Sequence, residues 1–401
     1  MNILCISDAF WPDQTGGISK SLLNEVNALK DRGNKITVIS RQLNSQNVLH
    51  ETKPEYEHFR YRSPSMGSIF YRLYPFVSVY LLPNLLKKIL TERNIDVVYV
   101  HNVFQAYACL RANIKIPIVY VFHASAYREV AIDSKRGKYG FLKPIADLQN
   151  LWIKKIEENV LSNVDKIIVR SDFMKEDLFQ LYGNSLSKKQ VIILPLGVDT
   201  DRFSLSMDVG QVRDVLGLPK DKAIFFTVRR LVARMGLENL IAAMKGVVKQ
   251  YPDTLLLVGG KGYLQNELTA LVSEFGLQNN IIFLGFISED KLPQYYQAAD
   301  LFVLPTAELE GFGLVTIESL ACGTPVIATP VGANKEVAGG LGTEYLFKDN
   351  TSDAICQGLL RWLDRGSGEI VREQCRSHCN TKYSIQFVAQ QLDQLLSDAT
   401  N

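Results

Sequence analysis

The chain lacks any uninterrupted apolar stretch long enough to cross a bilayer, which takes roughly 20 such residues. Its longest apolar region, residues 69–90, is broken by Arg72, Pro75, Pro83 and the pair Lys87-Lys88. That excludes a simple spanning helix and leaves core packing, or a helix pair with an aromatic face resting on a bilayer. Cysteine is sparse and scattered, at positions 5, 109, 322, 356, 375 and 379. No disulfide framework is encoded, and a reducing cytoplasm is the expected compartment. Residues 1–7 carry no basic leader and run straight into strand-like sequence, so no secretory signal is expected. No dense basic run interleaved with aromatics exists, which argues against a nucleic-acid partner. There is no repeat of fixed period and no low-complexity segment.

What remains is a globular composition, 47% hydrophobic and 21% charged, in 401 residues, enough for two cores rather than one. The net charge of +2 hides an asymmetry. Residues 1–195 hold 26 Lys+Arg against 18 Asp+Glu, and the remainder 18 against 24. A basic first half suits anionic lipid surfaces or phosphorylated acceptors, although ordinary surface variation produces the same imbalance.

Short apolar runs alternate with amphipathic stretches, the pattern of a parallel sheet with helices on both faces. In the first half strands are expected at 2–7, 35–40, 97–101, 118–123, 166–170 and 190–194. A helix is expected at 19–32, where apolar positions 22, 23, 26 and 29 share a face and Gly33 supplies a stop. A second series starts after Pro195-Leu196-Gly197, with strands at 223–228, 254–258, 281–283, 301–304 and 325–328. Helices are expected at 236–250, 264–275, 289–298 and 312–321. The domain reading is therefore 1–195, 196–380, and a last segment, 381–401, whose helix near 385–396 packs back toward the first domain.

The stretch Leu304-Pro305-Thr306-Ala307-Glu308-Leu309-Glu310-Gly311-Phe312-Gly313-Leu314-Val315-Thr316-Ile317-Glu318 carries the most chemistry. A buried strand ends, a loop follows, and a helix opens near Phe312–Gly313, presenting backbone N–H groups and a positive dipole end suited to a diphosphate. Gly311 and Gly313 remove side chains where backbone approaches a ligand. Glu310 stands before the helix and Glu318 lies on roughly the same face, one carboxylate for sugar hydroxyls and one for ribose. Taken alone, solvated glutamates at a helix start explain the pair equally well.

The run continues as Gly323-Thr324-Pro325-Val326-Ile327-Ala328, then Gly332 and Glu336. With Pro12-Asp13-Gln14-Thr15-Gly16-Gly17-Ile18, Val121-Phe122-His123-Ala124, Pro195-Leu196-Gly197-Val198-Asp199 and Arg230-Leu231, in this order, the chain resembles the family 4 retaining glycosyltransferases. The resemblance implies the GT-B fold, α/β with two Rossmann-like domains whose parallel sheets face a central cleft that closes on the donor. It implies transfer of a hexose from a nucleoside diphosphate sugar, UDP-glucose or a related UDP-hexose, to a saccharide or lipid-linked saccharide in cell-surface polysaccharide synthesis. Configuration is retained, and neither a cofactor nor a metal is expected.

Residue by residue, the resemblance puts His123 at the donor hexose and Gly16 and Gly17 at the diphosphate. Arg230 belongs to a basic diphosphate clamp, a role suited to a planar fork of donors. Backbone at Gly285 and Ile287 reads the base, while Gly311, Phe312, Gly313, Leu314, Val315 and Glu318 surround phosphate and ribose. The catalytic set is His123, Arg230 and Glu310. The family usually has glycine before the clamp arginine and lysine five residues after it; here stand Arg229 and Met235. Either Arg234 supplies the second cation or the clamp is weakened, and the first is favoured because the leaving diphosphate needs the charge.

Three motifs are set aside. Asp199-Thr200-Asp201 matches a turn after the domain boundary rather than a metal site. Gly259-Gly260-Lys261-Gly262 lacks dinucleotide spacing. Cys375 to Cys379 has no second ligand cluster. The segments 41–95 and 125–150, expected to face the acceptor, match nothing diagnostic; Tyr71, Tyr74, Phe76 and Tyr80 suit a sugar-stacking surface, a membrane face or a core. A sugar-nucleotide epimerase, a disaccharide phosphorylase and a non-catalytic glycan-binding partner stay open as rivals, because fold alone does not decide function.

Overall fold

The computed structural model describes every residue except 14–15, 66–67, 69, 136–139, 141–142, 187–189, 207, 367–368 and 401. The chain divides into two compact units, Met1–Gly197 with Ile385–Asn401, and Val198–Ser384.

In the first unit β1 (Asn2–Ile6), β2 (Lys35–Gln42), β3 (His50–Thr52), β4 (Glu57–Arg62), β5 (Val97–Val100), β6 (Ile118–Val121), β7 (Lys166–Val169) and β8 (Gln190–Ile193) form one sheet of order β3-β4-β2-β1-β5-β6-β7-β8. Only the β3–β4 pair is antiparallel. Strands buried on both faces are apolar throughout, as Val97-Val98-Tyr99-Val100 and Ile118-Val119-Tyr120-Val121 are. Alternate residues feed opposite cores: Leu4 and Ile6 pack with Leu82, Leu86 and Ile89, whereas Ile3 and Cys5 pack with Leu22, Val26, Val388 and Leu392. The last two belong to the helix Ile385–Thr400, which lies against the helix Gly17–Asp31.

Residues 69–90 do not make a helix pair. A short turn of helix, Tyr71–Leu73, leads into a single helix, Tyr74–Glu92, that starts with Pro75 in its first turn and carries Pro83 inside. Val79, Leu82, Leu86 and Ile89 bury one face, and the burial outweighs the lost hydrogen bond at Pro83. Ile69 itself lies outside the described residues.

In the second unit β9 (Ala223–Val228), β10 (Thr254–Gly259), β11 (Ile281–Gly285), β12 (Leu301–Leu304) and β13 (Val326–Ala328) are all parallel, in the order β11-β10-β9-β12-β13. The order reverses between β9 and β12, so their following loops diverge from a common point at the carboxyl ends of the strands, where open α/β sheets place ligands.

Candidate active site

The loops after β9 and β12 are locked together. Gly236 has φ 71°, and a Cβ there would stand 1.9 Å from the Pro305 carbonyl oxygen. Ala307 and Glu308 N–H both donate to the Arg234 carbonyl, at 3.0 and 3.1 Å, and the Arg234 guanidinium donates to the Leu309 carbonyl at 3.0 Å. Leu309 is held at φ 56°, a left-handed conformation costly for a leucine and of the kind found at ligand sites.

Glu310 follows directly. Its Oε2 accepts from Arg229 Nη2 at 2.7 Å and from the Thr306 hydroxyl at 3.2 Å, while Arg229 Nη1 reaches that hydroxyl at 2.6 Å. Arg230, assigned to the diphosphate clamp, is exposed at the end of β9, and Met235 is buried. Gly313, at φ 85°, opens the helix Leu314–Ala321, and no side chain caps that terminus. Its first-turn N–H groups and dipole end favour negative charge nearby. Thr316, on the first turn, keeps a buried hydroxyl without a hydrogen-bond partner.

Other expected site residues sit differently from one another. Phe312 buries its ring edge-on to Tyr383; Gly311, Leu314 and Val315 are half-buried. Glu318 is 2% exposed and accepts from the Tyr296 hydroxyl at 3.0 Å, so its carboxylate lies in the interior rather than on an open face of the helix. Gly285 has φ 67°, Phe286 beside it is exposed, and Ile287 packs its side chain onto Gly259. The Gly259–Gly262 run has a packing reason: Cβ atoms on Gly260 and Gly262 would stand 1.8 and 2.1 Å from the carbonyl oxygens of Arg229 and Leu231. Asp199 Oδ1 accepts from the N–H groups of Asp201 and Arg202, the hydrogen bonds of a turn.

In the first unit His123 lies two residues beyond β6 and is half-buried. Its Nε2 is 3.1 Å from Nδ1 of His101, which follows β5 and is buried. Behind them Glu25 pairs with Arg170 at 2.8 Å and accepts from the Tyr99 hydroxyl at 2.8 Å. Burial, then the Arg170 charge, holds His123 down to about 3, and burial with the charges of His123 and Arg170 holds His101 well below the usual histidine range. Gly17 starts the helix after β1, and a Cβ on Gly16 or Gly17 would meet nothing within 4 Å among the described residues. Gln14 and Thr15 of the same motif lie outside the described residues.

The tyrosines divide between roles. Arg41 is fully buried, 2.8 Å from Asp8, with its guanidinium 4.3 Å from the Tyr74 ring and 5.3 Å from that of Tyr71. Phe76 stacks on Trp152, and Tyr80 is exposed. The sequence pattern gave no role to Arg229, Thr306, His101, Glu25, Arg170 or Tyr296. The one available signal was Arg229 standing where glycine is usual.

Residues 15–202 match the family model described as Glycosyltransferase Family 4, and residues 208–381 the one described as Glycosyl transferases group 1. The chain is 32% identical over 202 residues to a GDP-mannose-dependent alpha-(1-6)-phosphatidylinositol monomannoside mannosyltransferase of Mycolicibacterium smegmatis, covering 48% of this chain and 52% of that protein. It is 31% identical over 251 residues to a D-inositol 3-phosphate glycosyltransferase of the same organism, covering 60% and 54%. The chain thus spans about half the length of the curated relatives it matches. Among solved structures, sucrose-phosphate synthase from Thermosynechococcus elongatus aligns over 99% of both chains with a TM-score of 0.81 at 22% identity, a likeness of fold. Two family models in succession, one on each half, and a GT-B fold along the whole length give the conclusion: this chain belongs to the family 4 glycosyltransferases.

Proposed function

We propose that the protein is a retaining hexosyltransferase that uses a nucleoside diphosphate hexose. The observation that carries this reading is the junction of the β9 and β12 loops, where Glu310, exposed Arg230 and the uncapped terminus of the helix Leu314–Ala321 belong to one switch point. Helix N–H groups, Arg230 and Arg234 neutralise charge on the departing diphosphate without a divalent ion. Glu310 binds a sugar hydroxyl and orients the ring. Backbone at Gly285 and Ile287 reads the base, and Glu318 binds ribose after exchanging its contact with Tyr296. His123, kept neutral, holds the hexose near its reacting carbon, and Gly16 and Gly17 admit the diphosphate closely.

In the transfer step the bond between the anomeric carbon and the diphosphate oxygen breaks, and a bond from the acceptor oxygen to that carbon forms on the same face. The acceptor proton passes to the leaving phosphate oxygen, so no enzyme nucleophile is required. The resemblance supports UDP-glucose or a related UDP-hexose, while one relative's name carries GDP-mannose; both bases belong in the assay. The acceptor proposed is a saccharide or lipid-linked saccharide of a cell-surface polysaccharide, and a relative named for a phosphatidylinositol mannoside supports the lipid-linked form.

No helix among the described residues is long and apolar enough to cross a membrane. Peripheral contact with the inner, anionic face of a bilayer is supported by the exposed Ile145, Leu148 and Leu151 on the helix Lys143–Asn163, and by Tyr80 and Leu81 beside Lys87 and Lys88. Product analysis by NMR tests the reaction: a glycoside of the donor's own anomeric configuration is expected, with nucleoside diphosphate released in step with the acceptor. An inverted product, or an isomerised sugar nucleotide without release, contradicts the proposal.

A further inference from the structure

β9 delivers two arginines in succession, and they take opposite environments. Arg230 is exposed, whereas the Arg229 side chain is 4% exposed and turned inward. Its guanidinium spans Glu310 Oε2 and the Thr306 hydroxyl, and that hydroxyl donates to the same carboxylate oxygen, closing a three-membered ring of contacts. The ring is braced from outside. Arg229 N–H donates to the Gly259 carbonyl at 3.0 Å, and Gly260 has no side chain to displace the Arg229 carbonyl. The Thr306 carbonyl accepts from the Thr329 hydroxyl at 2.6 Å. The Glu310 carbonyl accepts from Ala333 N–H at 2.9 Å, in a space that a Cβ on Gly332 would invade.

A carboxylate this enclosed is held in one rotamer by the guanidinium and the hydroxyl that donate to it. Among the described residues the side-chain contacts fall on Oε2, which leaves Oε1 as the acceptor for a ligand hydroxyl. Arginine has donors only, so the arginine itself cannot replace that acceptor.

We propose that Arg229 is a positioning residue for transfer: it holds the Glu310 carboxylate fixed so that Oε1 meets a hydroxyl of the donor hexose. The inference rests on the reading of Glu310 as the sugar contact, and it separates the paired arginines, Arg230 for the diphosphate and Arg229 for the sugar through Glu310.

A double-mutant cycle of Arg229→Met and Glu310→Gln tests it, with UDP and UDP-glucose or GDP and GDP-mannose, whichever pair binds. The expected result is a kcat about tenfold lower in Arg229→Met, with nucleoside diphosphate Kd changed less than about threefold. Adding Arg229→Met to Glu310→Gln should then change kcat by less than about twofold. Arg229→Lys, which keeps the charge, should recover most of the activity; it and Arg229→Gln carry the same cycle if the methionine variant melts early. Multiplicative losses in the double mutant, or nucleoside diphosphate binding weakened as much as kcat/KM, overturn the inference and leave Glu310's role standing. Normal activity in Glu310→Gln alone removes the premise of both.

Discussion

Nδ1 of His101 and Nε2 of His123 lie 3.1 Å apart at the carboxyl ends of neighbouring strands, so one ring must donate to the other. Two rings this close in a buried setting, with Arg170 behind them, stay neutral.

Neutrality has a consequence for stability. Below about pH 6.5 the unfolded chain protonates His101 while the folded chain does not, so stability falls as pH falls, by up to ~1.4 kcal/mol per unit for such a group. Urea unfolding of the wild type and of His101→Gln between pH 7 and pH 4.5 should show the shallower slope in the variant. Parallel slopes would mean that His101 protonates in the folded protein as readily as in the unfolded one.

Gly236 makes the meeting of the β9 and β12 loops feasible. Gly236→Ala combines a strained φ with a clash against the Pro305 carbonyl, and should cost on the order of 1–3 kcal/mol in denaturant unfolding, with loss of donor binding. An alanine variant of wild-type stability would show that the loops can separate freely.

Glu310→Gln should keep the fold and cut transfer at least about tenfold, which is ~1.4 kcal/mol of barrier. The thermal midpoint and the initial rate, measured on the same preparation, decide it: a normal rate removes Glu310 from the site.

Most strand positions, though not their order in the sheets, were legible because a parallel sheet buried on both faces writes itself as apolar runs, of which Leu301-Phe302-Val303-Leu304 is a case. β4 escaped notice because its inward positions include His58 and Arg60, and Arg60 is satisfied by Asp13 and Glu51 rather than by apolar neighbours. Whether residues 74–92 form one helix or two was not legible because the two prolines look like boundaries, and only packing shows that one begins the helix and the other rides within it. Motif order singled out Glu310 and Arg230 in one unit and His123 in the other. Thr306 lies in the same loop as Glu310, whereas Arg229 reaches Glu310, and His101 reaches His123, from the end of a neighbouring strand, so only the folded sheets bring those pairs within hydrogen-bond distance.

Charge reversal at Lys87 and Lys88, both exposed, should weaken sedimentation with vesicles containing anionic lipid, roughly 1 kcal/mol per charge, and leave binding to neutral vesicles unchanged. Equal binding of variant and wild type to anionic vesicles would remove this face from the membrane account.

Thermal stabilisation by nucleotides is the most direct test of the central claim. UDP, GDP, ADP, UDP-glucose and GDP-mannose are each added with and without EDTA. A clear rise in Tm is expected with one nucleoside diphosphate and its hexose derivative, unchanged by EDTA. No shift with any nucleotide, or a shift that EDTA abolishes, would contradict it.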